Sequence, residues 1–169
     1  ILVNDCSTDK SGEICNSLAE KHKNLQVIHN KTNQGVSISR NDGIKVAIGQ
    51  YIVFLDSDDY LMENGLSGIG KIIPDKGYPD VIVIQKFLTR REPASFTTHQ
   101  LFDDRIDSSG TPDDVIRNFN SSKNFYGNCW CHIVKRSVLI QNELFFTPNA
   151  SFAEDQEFVA KIFCVAETF

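Results

Sequence analysis

The chain has 169 residues, of which 41% are hydrophobic and 23% are charged, a composition typical of one globular domain with a sizeable core. Its net charge is −5 and its basic residues are scattered, which excludes a polybasic face and argues against nucleic acid as the main partner. No apolar run approaches the roughly 18 residues that a membrane-spanning helix needs, and no stretch has the pattern of a signal peptide.

The first 60 residues alternate between apolar runs and helical periodicity. The runs at residues 1–3, 25–28 and 51–55 predict strands. The periodic segments at residues 11–22 and 36–48 predict helices, the second of which ends before Gly49. This order is typical of an α/β fold with a parallel sheet.

The rest of the chain predicts further helices and strands with a less regular middle part. The expected elements are a helix at 64–73 closed by Pro74, a strand at 81–84, a β-ribbon or an insertion over 86–110, a helix from 111 to about 119, a short apolar and polar stretch at 127–134, a short helix at 135–141 and a last helix at 153–163. No internal repeat or low-complexity tract divides this chain, so we interpret it as a single domain over residues 1–169.

The five cysteines form no pattern typical of a metal site. Cys129 and Cys131 are too close together for a normal zinc knuckle, and no second pair accompanies them. We therefore predict free thiols, which favours a reducing cytoplasm as the location of the protein.

Three acids follow the third predicted strand within four positions: Asp56, Asp58 and Asp59. Open α/β sheets bind ligands at the carboxyl ends of their strands, and carboxylates crowded there repel one another unless a cation or a proton neutralises them. Hard oxygen ligands at such a place suit Mg²⁺ or Mn²⁺ that also holds substrate phosphates. The alternative is a solvated acidic turn that caps the next helix.

Several sequence blocks resemble family 2 glycosyltransferases. They lie at residues 3–9, 33–43, 54–59, 135–137 and 153–158, with Trp130 and Phe146 between them, and they occur in the order expected of the family. The resemblance implies the GT-A fold, a nucleotide-binding α/β fold with a mostly parallel central sheet flanked by helices. It also implies that the family's first strand, an apolar run ending in Pro-x-Tyr-Asn, would precede Ile1 and that a C-terminal segment would follow Phe169. We therefore expect an interior piece of a longer protein.

The function implied by the resemblance is inverting transfer of a sugar from a nucleotide diphosphate, usually UDP, to a saccharide or lipid-linked acceptor. Such enzymes use Mn²⁺ or Mg²⁺ and serve polysaccharide or glycoconjugate synthesis. A location in the cytoplasm at the inner face of the membrane, peripheral association through segments outside these residues, and a homodimer are all compatible with it. The alternatives are a nucleotidyltransferase-like enzyme and a non-catalytic relative that binds carbohydrate.

On the donor side, the resemblance assigns Asp5 and Arg40 to the nucleotide pocket. Asp5 would contact the uracil or ribose, since these groups offer hydrogen-bond donors that a carboxylate accepts. The alternative for Asp5 is a cap formed with Ser7 and Thr8. Arg40 would pair with acids or phosphate through its fork of donors, and its alternative is a surface arginine.

The Asp56-Ser57-Asp58 segment corresponds to the family's Asp-x-Asp motif, which holds a metal ion against the two phosphates. We assign Asp58 as the direct metal ligand and Asp56 to the ribose or the metal. Asp59 would either bind the donor sugar or cap the following helix.

On the acceptor side, the resemblance assigns Asp155 as the general base that takes the proton of the acceptor hydroxyl. Glu154 is a weaker candidate for contact with sugar, and a first-turn acid that stabilises its helix is the alternative. Trp130 would stack against a sugar face or belong to the core. Relatives often carry Lys where this chain has His132, which we interpret as a partly buried structural histidine, and they usually have Gly where it has Cys6.

Overall fold

The computed structural model describes residues 1–84, 86–91, 95–100, 113–114, 117, 127–150 and 152–169. The strands are β1 (Leu2–Asn4), β2 (Val27–His29), β3 (Tyr51–Val53), β4 (Val81–Val83), β5 (Lys86–Arg91), β6 (Ser95–Gln100) and β7 (His132–Lys135). The helices are α1 (Ser11–Lys21), α2 (Val36–Val46), α3 (Gly65–Asp75), α4 (Arg136–Gln141) and α5 (Glu154–Val165), with a 3₁₀ turn at Cys129–Cys131. None of the helices in these ranges has the length and apolar character that crossing a bilayer requires.

The strands pair in three groups. β1 and β2 are parallel, with Val3 opposite Ile28. β7 lies between β3 and β4 and is antiparallel to both, so β3 and β4 run in the same direction without touching. β5 and β6 form an antiparallel hairpin. The expected alternation of strand and helix over the first 60 residues is confirmed. In the described part of residues 86–110, the pairing of β5 with β6 favours the β-ribbon over the insertion.

The predicted element boundaries differ from the observed ones by a few residues. β3 ends at Val53, two residues earlier than predicted, and α2 ends at Val46, after which Ala47 has extended backbone angles. α3 continues one residue beyond Pro74, which lies in its last turn. The helix predicted from 111 to about 119 lies largely outside the described residues, although positions 113, 114 and 117 are helical.

A cluster of aromatic rings forms the centre of the core, between the β3–β7–β4 sheet and helices α2, α4 and α5. The rings of Phe146 and Phe158 are stacked, with centroids 3.8 Å apart. Phe54 meets both rings edge-on, at centroid distances of 5.4 Å and 5.7 Å. Apolar residues of the strands and helices surround these rings: Ile44, Ile52, Val81, Val134, Val138, Leu139 and Ile162. The core therefore joins the segment after β3 to the first turns of α5.

A groove of about 810 Å³ separates β1 from β3. Val3 and Asp5 line it on one side, and Val53 and Asp56 line it on the other, with Arg40 of α2 also exposed to it. Within the described part of the chain, β1 pairs only with β2 and β3 only with β7, so each of the two strands has one edge without a strand partner. The groove is apolar along the strands and acidic where they end.

His132 is a structural residue of the core, and it is fully buried rather than partly buried as interpreted from the sequence. It is 1% exposed and packs edge-on against Phe163 at a centroid distance of 5.6 Å. Its Nδ1 lies 2.9 Å from the carbonyl oxygen of Asn128, so Nδ1 carries the proton in the neutral ring. Burial lowers the pKa of His132 from 6.5 to about 4, against the opposing effects of Asn128 and Asp155.

We predict that His132 makes the fold less stable in mild acid. Because its pKa is lower in the folded than in the unfolded chain, its contribution to stability is complete above about pH 6.5 and is lost as the pH falls towards about 4. Lowering the pH from about 7.5 to about 5 should reduce the free energy of unfolding by roughly 2 kcal/mol through this histidine. Urea unfolding of the wild type and of His132→Asn at both pH values measures this difference, and equal pH dependence of the two proteins would contradict it.

Candidate functional site

Arg40 is the residue that joins the two acidic segments of the chain. Its side chain is 12% exposed, so it is not the surface arginine of the alternative interpretation. Nη2 donates to Asp56 Oδ1 at 2.8 Å, and Nη1 donates to Asp155 Oδ1 at 2.5 Å. Glu154 Oε1 lies 4.0 Å from Nη1. Burial by itself would lower the pKa of Arg40, but its interactions with Cys129, Asp56 and Asp155 raise it above the usual value, so the guanidinium stays charged.

Asp155 lies in the first turn of α5 and has both carboxylate oxygens engaged. Oδ1 accepts from Arg40, and Oδ2 accepts from the backbone N–H of Cys129 at 3.1 Å. The turn that carries Cys129 can approach because Gly127 has no side chain: a Cβ there would lie 3.1 Å from the Cα of Gln156. The carboxylate is therefore held in one orientation. An ionised carboxylate has about four acceptor positions, so Asp155 can still accept a hydrogen bond from a further donor.

Arg40 lines the groove and also contacts Asp155, which does not line it. Arg40, Asp56 and Asp58 line the groove, whereas none of its described lining residues comes from α5 or from the Trp130 turn. The structure thus brings Arg40, Asp56, Asp155 and Glu154 together as one charged cluster, which the sequence predicted only as separate blocks.

Asp5 anchors the loop that leads into α2. Its carboxylate accepts from Asn30 Nδ2 at 2.9 Å and from the backbone N–H groups of Gln34 and Gly35, the latter at 2.7 Å. Burial would raise the pKa of Asp5, but these hydrogen bonds hold it below its usual value. The alternative of a cap formed with Ser7 and Thr8 is wrong, since the Ser7 N–H bonds to the Asn4 side chain instead. Asp5 also lines the groove, as contact with a nucleotide would require, and that contact stays a prediction.

The acidic loop after β3 turns sharply, with the Asp59 N–H donating to the Asp56 carbonyl at 3.1 Å. Burial, together with the neighbouring carboxylates of Asp58 and Asp56, raises the pKa of Asp59. Helix capping by Asp59 is wrong, because α3 begins at Gly65 and its N-cap residue is Asn64.

The acidic loop fits a divalent cation only if a substrate supplies further oxygen ligands. Among the described residues, no group of three or more His, Cys, Asp or Glu side chains is placed to hold a metal ion. Asp56 shares one oxygen with Arg40, and Asp58 is exposed at the groove. Two such carboxylates match a Mg²⁺ or Mn²⁺ ion that keeps waters and binds phosphates.

The remaining sequence-predicted residues lie around this cluster. Trp130 is half-buried in the 3₁₀ turn next to Cys129, and the sequence alternatives of sugar platform and core residue both stay open. The five cysteines are free thiols, as predicted. Burial raises the pKa of Cys131 to about 12, so this thiol stays protonated. Cys6 has a φ of +60°, a left-handed conformation that favours glycine, which the family resemblance places at this position.

Sequence reasoning missed three contributors to the site: the backbone of Cys129, the side chain of Asn41 and the ring of Phe146. Nothing in the sequence indicates a backbone N–H that points at Asp155. Asn41 does carry a signal, because with Ser37 and Ile44 it occupies the buried face of α2 at spacings of four and three residues. A polar residue on such a face needs a partner.

The sequence profile described as "Glycosyl transferase family 2" matches residues 1–141. The chain belongs to glycosyltransferase family 2. Among relatives, EpsJ of Bacillus subtilis (strain 168), described as an uncharacterized glycosyltransferase, is 29% identical over 167 residues, which are 99% of this chain and 48% of EpsJ. YibD of Escherichia coli (strain K12), described in the same way, is 31% identical over 148 residues, covering 86% of this chain and 42% of YibD.

Solved structures of a family 2 relative confirm the expected GT-A fold. Residues 1–349 of S. aureus TarS in complex with UDP superpose with a TM-score of 0.78 at 27% identity, covering 98% of this chain and 46% of that one. The complex of the same protein with UDP-GlcNAc also gives 0.78, at 26% identity. The chain spans about half the length, or less, of the relatives it matches.

We predict that Arg40→Ala destabilises the fold by about 2–4 kcal/mol, because it leaves two partly buried carboxylates without their cation. Lys45→Ala is the matched control: it removes a cation from the same helix, but one that is 58% exposed and paired with Asp42. We expect the control to change stability by less than about 0.5 kcal/mol. Urea unfolding at neutral pH measures both, and equal losses would contradict the central place of Arg40.

Proposed function

We propose that this family 2 glycosyltransferase transfers a sugar from a UDP-sugar to a glycan or lipid-linked acceptor, with inversion at the anomeric carbon. The observation that carries the proposal is the contact of Arg40 with both Asp56 and Asp155. It links an acidic groove that suits a nucleotide to a carboxylate outside the groove that binds the same guanidinium. Inverting transfer needs these two functions next to each other, since the base acts on the acceptor while the diphosphate leaves.

The donor would bind in the groove between β1 and β3. Its apolar walls suit a base and its acidic end suits ribose hydroxyls, which donate hydrogen bonds to carboxylates. Asp5 and Asp56 both line the groove, and Asp56 retains acceptor positions beyond its bond to Arg40. The two oxygens of Asp5 already accept from Asn30, Gln34 and Gly35, so a nucleotide donor would exchange with one of these bonds. The solved complexes of TarS with UDP and with UDP-GlcNAc support a uridine nucleotide as the first candidate.

Asp58, with Asp56 beside it, would hold a divalent cation together with the donor phosphates. When bound, such a cation supplies positive charge against the departing diphosphate. Asp58 fits this role because its carboxylate is exposed at the groove. Arg40 also lines the groove and stays charged, but Asp56 and Asp155 already neutralise it, so the cation would supply the charge that the phosphates need.

Asp155 would act as the general base. Arg40 and the Cys129 N–H hold its carboxylate in place, which is the fixed position that a general base requires. Glu154, 4.0 Å from the same guanidinium, adds negative charge on the acceptor side and is a candidate for contact with a sugar hydroxyl. Family membership favours sugar transfer over nucleotidyl transfer, the alternative considered from the sequence.

We predict that Asp58→Ala abolishes the metal-dependent part of UDP binding, because the cation loses its direct protein ligand. Calorimetric titration of the full-length protein with UDP, with and without Mn²⁺, measures this effect. Asp75→Ala, which removes an exposed carboxylate at the end of α3, is the matched control and should bind UDP like the wild type. Metal-dependent binding that survives in Asp58→Ala would rule out the ligand assignment.

We also predict that Asp155→Asn lowers the rate of transfer at least about 100-fold, as expected when a general base is removed. UDP affinity should stay within about threefold, since Asp155 lies outside the groove. The assay follows UDP release from UDP-sugars in the presence of acceptor. Glu157→Gln is the control, because this first-turn acid is exposed and pairs with Lys161 and Thr147 instead. Transfer at the wild-type rate by Asp155→Asn would refute the base assignment.

A further inference from the structure

We propose that Phe146 is a positioning residue for this site: its ring supports the Arg40 guanidinium between Asp56 and Asp155, and Asn41 fixes Phe146 in turn. The proposal rests on the proposed function, because it assumes that the Arg40 cluster serves catalysis. It goes further in assigning a role in the reaction to two residues that touch neither the donor nor the acceptor.

The ring of Phe146 is the point where the three segments that carry the charged cluster meet. The Arg40 Cζ lies over the ring, 5.2 Å from its centroid. Phe54, two residues before Asp56, packs edge-on at 5.4 Å, and Phe158, one helical turn after Asp155, stacks at 3.8 Å. A shift of this ring would therefore displace Arg40 and both of its partners.

The backbone of Phe146 is held by Asn41, the neighbour of Arg40 in α2. Asn41 Nδ2 donates to the Phe146 carbonyl at 2.8 Å, and the Phe146 N–H donates to Asn41 Oδ1 at 2.8 Å. Asn41 is 6% exposed, so these bonds are shielded from water. An amide offers a donor and an acceptor on one planar group, which neither Asp nor Leu provides. This pair fixes the distance between α2 and the segment before α5.

The contact between ring and guanidinium also has an electrostatic component. An aromatic face carries negative charge density, and a cation above it is stabilised most where water is excluded, as at Arg40. An arginine side chain has many rotamers, and two carboxylates alone would allow it to swing towards either one. The ring beneath it limits this movement and keeps the guanidinium within reach of both carboxylates.

The test compares two phenylalanines of the buried core that differ in their relation to the site. Phe163→Leu is the matched control, because Phe163 is also buried, at 6% exposure, but it lies on α5 and contacts His132 and Phe169 instead of Arg40. In the full-length protein, UDP release from UDP-GlcNAc gives kcat and KM for the wild type, Phe146→Leu and Phe163→Leu. Chemical unfolding of each variant shows the loss of stability.

We expect Phe146→Leu to lower kcat by roughly tenfold with KM within about threefold, while Phe163→Leu keeps kcat within about twofold at a similar loss of stability. Replacing Phe146 with phenylalanines that carry increasing numbers of ring fluorines keeps the shape but weakens the negative face, so kcat should fall stepwise. Asn41→Asp and Asn41→Leu should resemble Phe146→Leu. Equal kcat for Phe146→Leu and Phe163→Leu would overturn the proposal.

A second readout does not depend on activity. NMR of arginine-labelled protein measures how fast the guanidinium N–H groups of Arg40 exchange with water. The exchange rate should rise at least about tenfold in Phe146→Leu and should stay at the wild-type value in Phe163→Leu. Unchanged exchange in Phe146→Leu would overturn the positioning claim. If the wild type releases no UDP from any UDP-sugar, the proposed function fails, and the exchange rates still decide whether Phe146 positions Arg40.

Discussion

The arrangement of the site depends on one buried cation. A guanidinium with 12% exposure is costly unless carboxylates neutralise it, and here two do so from positions 16 and 115 residues away in the sequence. The folded chain must therefore bring the end of β3 and the start of α5 to the same face of α2. The stabilising contact and the candidate catalytic contact are the same contact, so changes that weaken it should affect folding and chemistry together.

A sugar transfer needs a donor site and a general base, and the groove and the charged cluster would supply one each. The strand walls are apolar, while Asp5, Asp56 and Asp58 gather at one end, so a nucleotide would have its polar groups directed towards Arg40. Asp5 also ties down the loop that starts α2, which couples the walls of the groove to the helix carrying the guanidinium. Arg40 contacts Asp155 as well as Asp56, and Asp155 does not line the groove.

Short-range features of the site could be predicted from the sequence, whereas long-range ones could not. Asp56, Asp58 and Asp155 belong to local patterns, a strand followed by acids and a helix with acids in its first turn. The alternating strands and helices of the first 60 residues were predictable for the same reason. Arg40 pairs with Asp155, 115 residues away, because of tertiary packing, which the local spacing of residues does not reveal. The insertion of β7 between β3 and β4 is equally non-local, and so is the backbone N–H of Cys129 that meets Asp155.

The most direct test of this account is a double-mutant cycle between Arg40 and Asp155, measured by urea unfolding of Arg40→Met, Asp155→Asn and the double variant. If the buried ion pair organises the site, the two substitutions share one interaction, and their effects should differ from additivity by about 1.5 kcal/mol or more. Additivity to within about 0.5 kcal/mol would mean that the two residues stabilise the fold independently. That result would contradict the central claim.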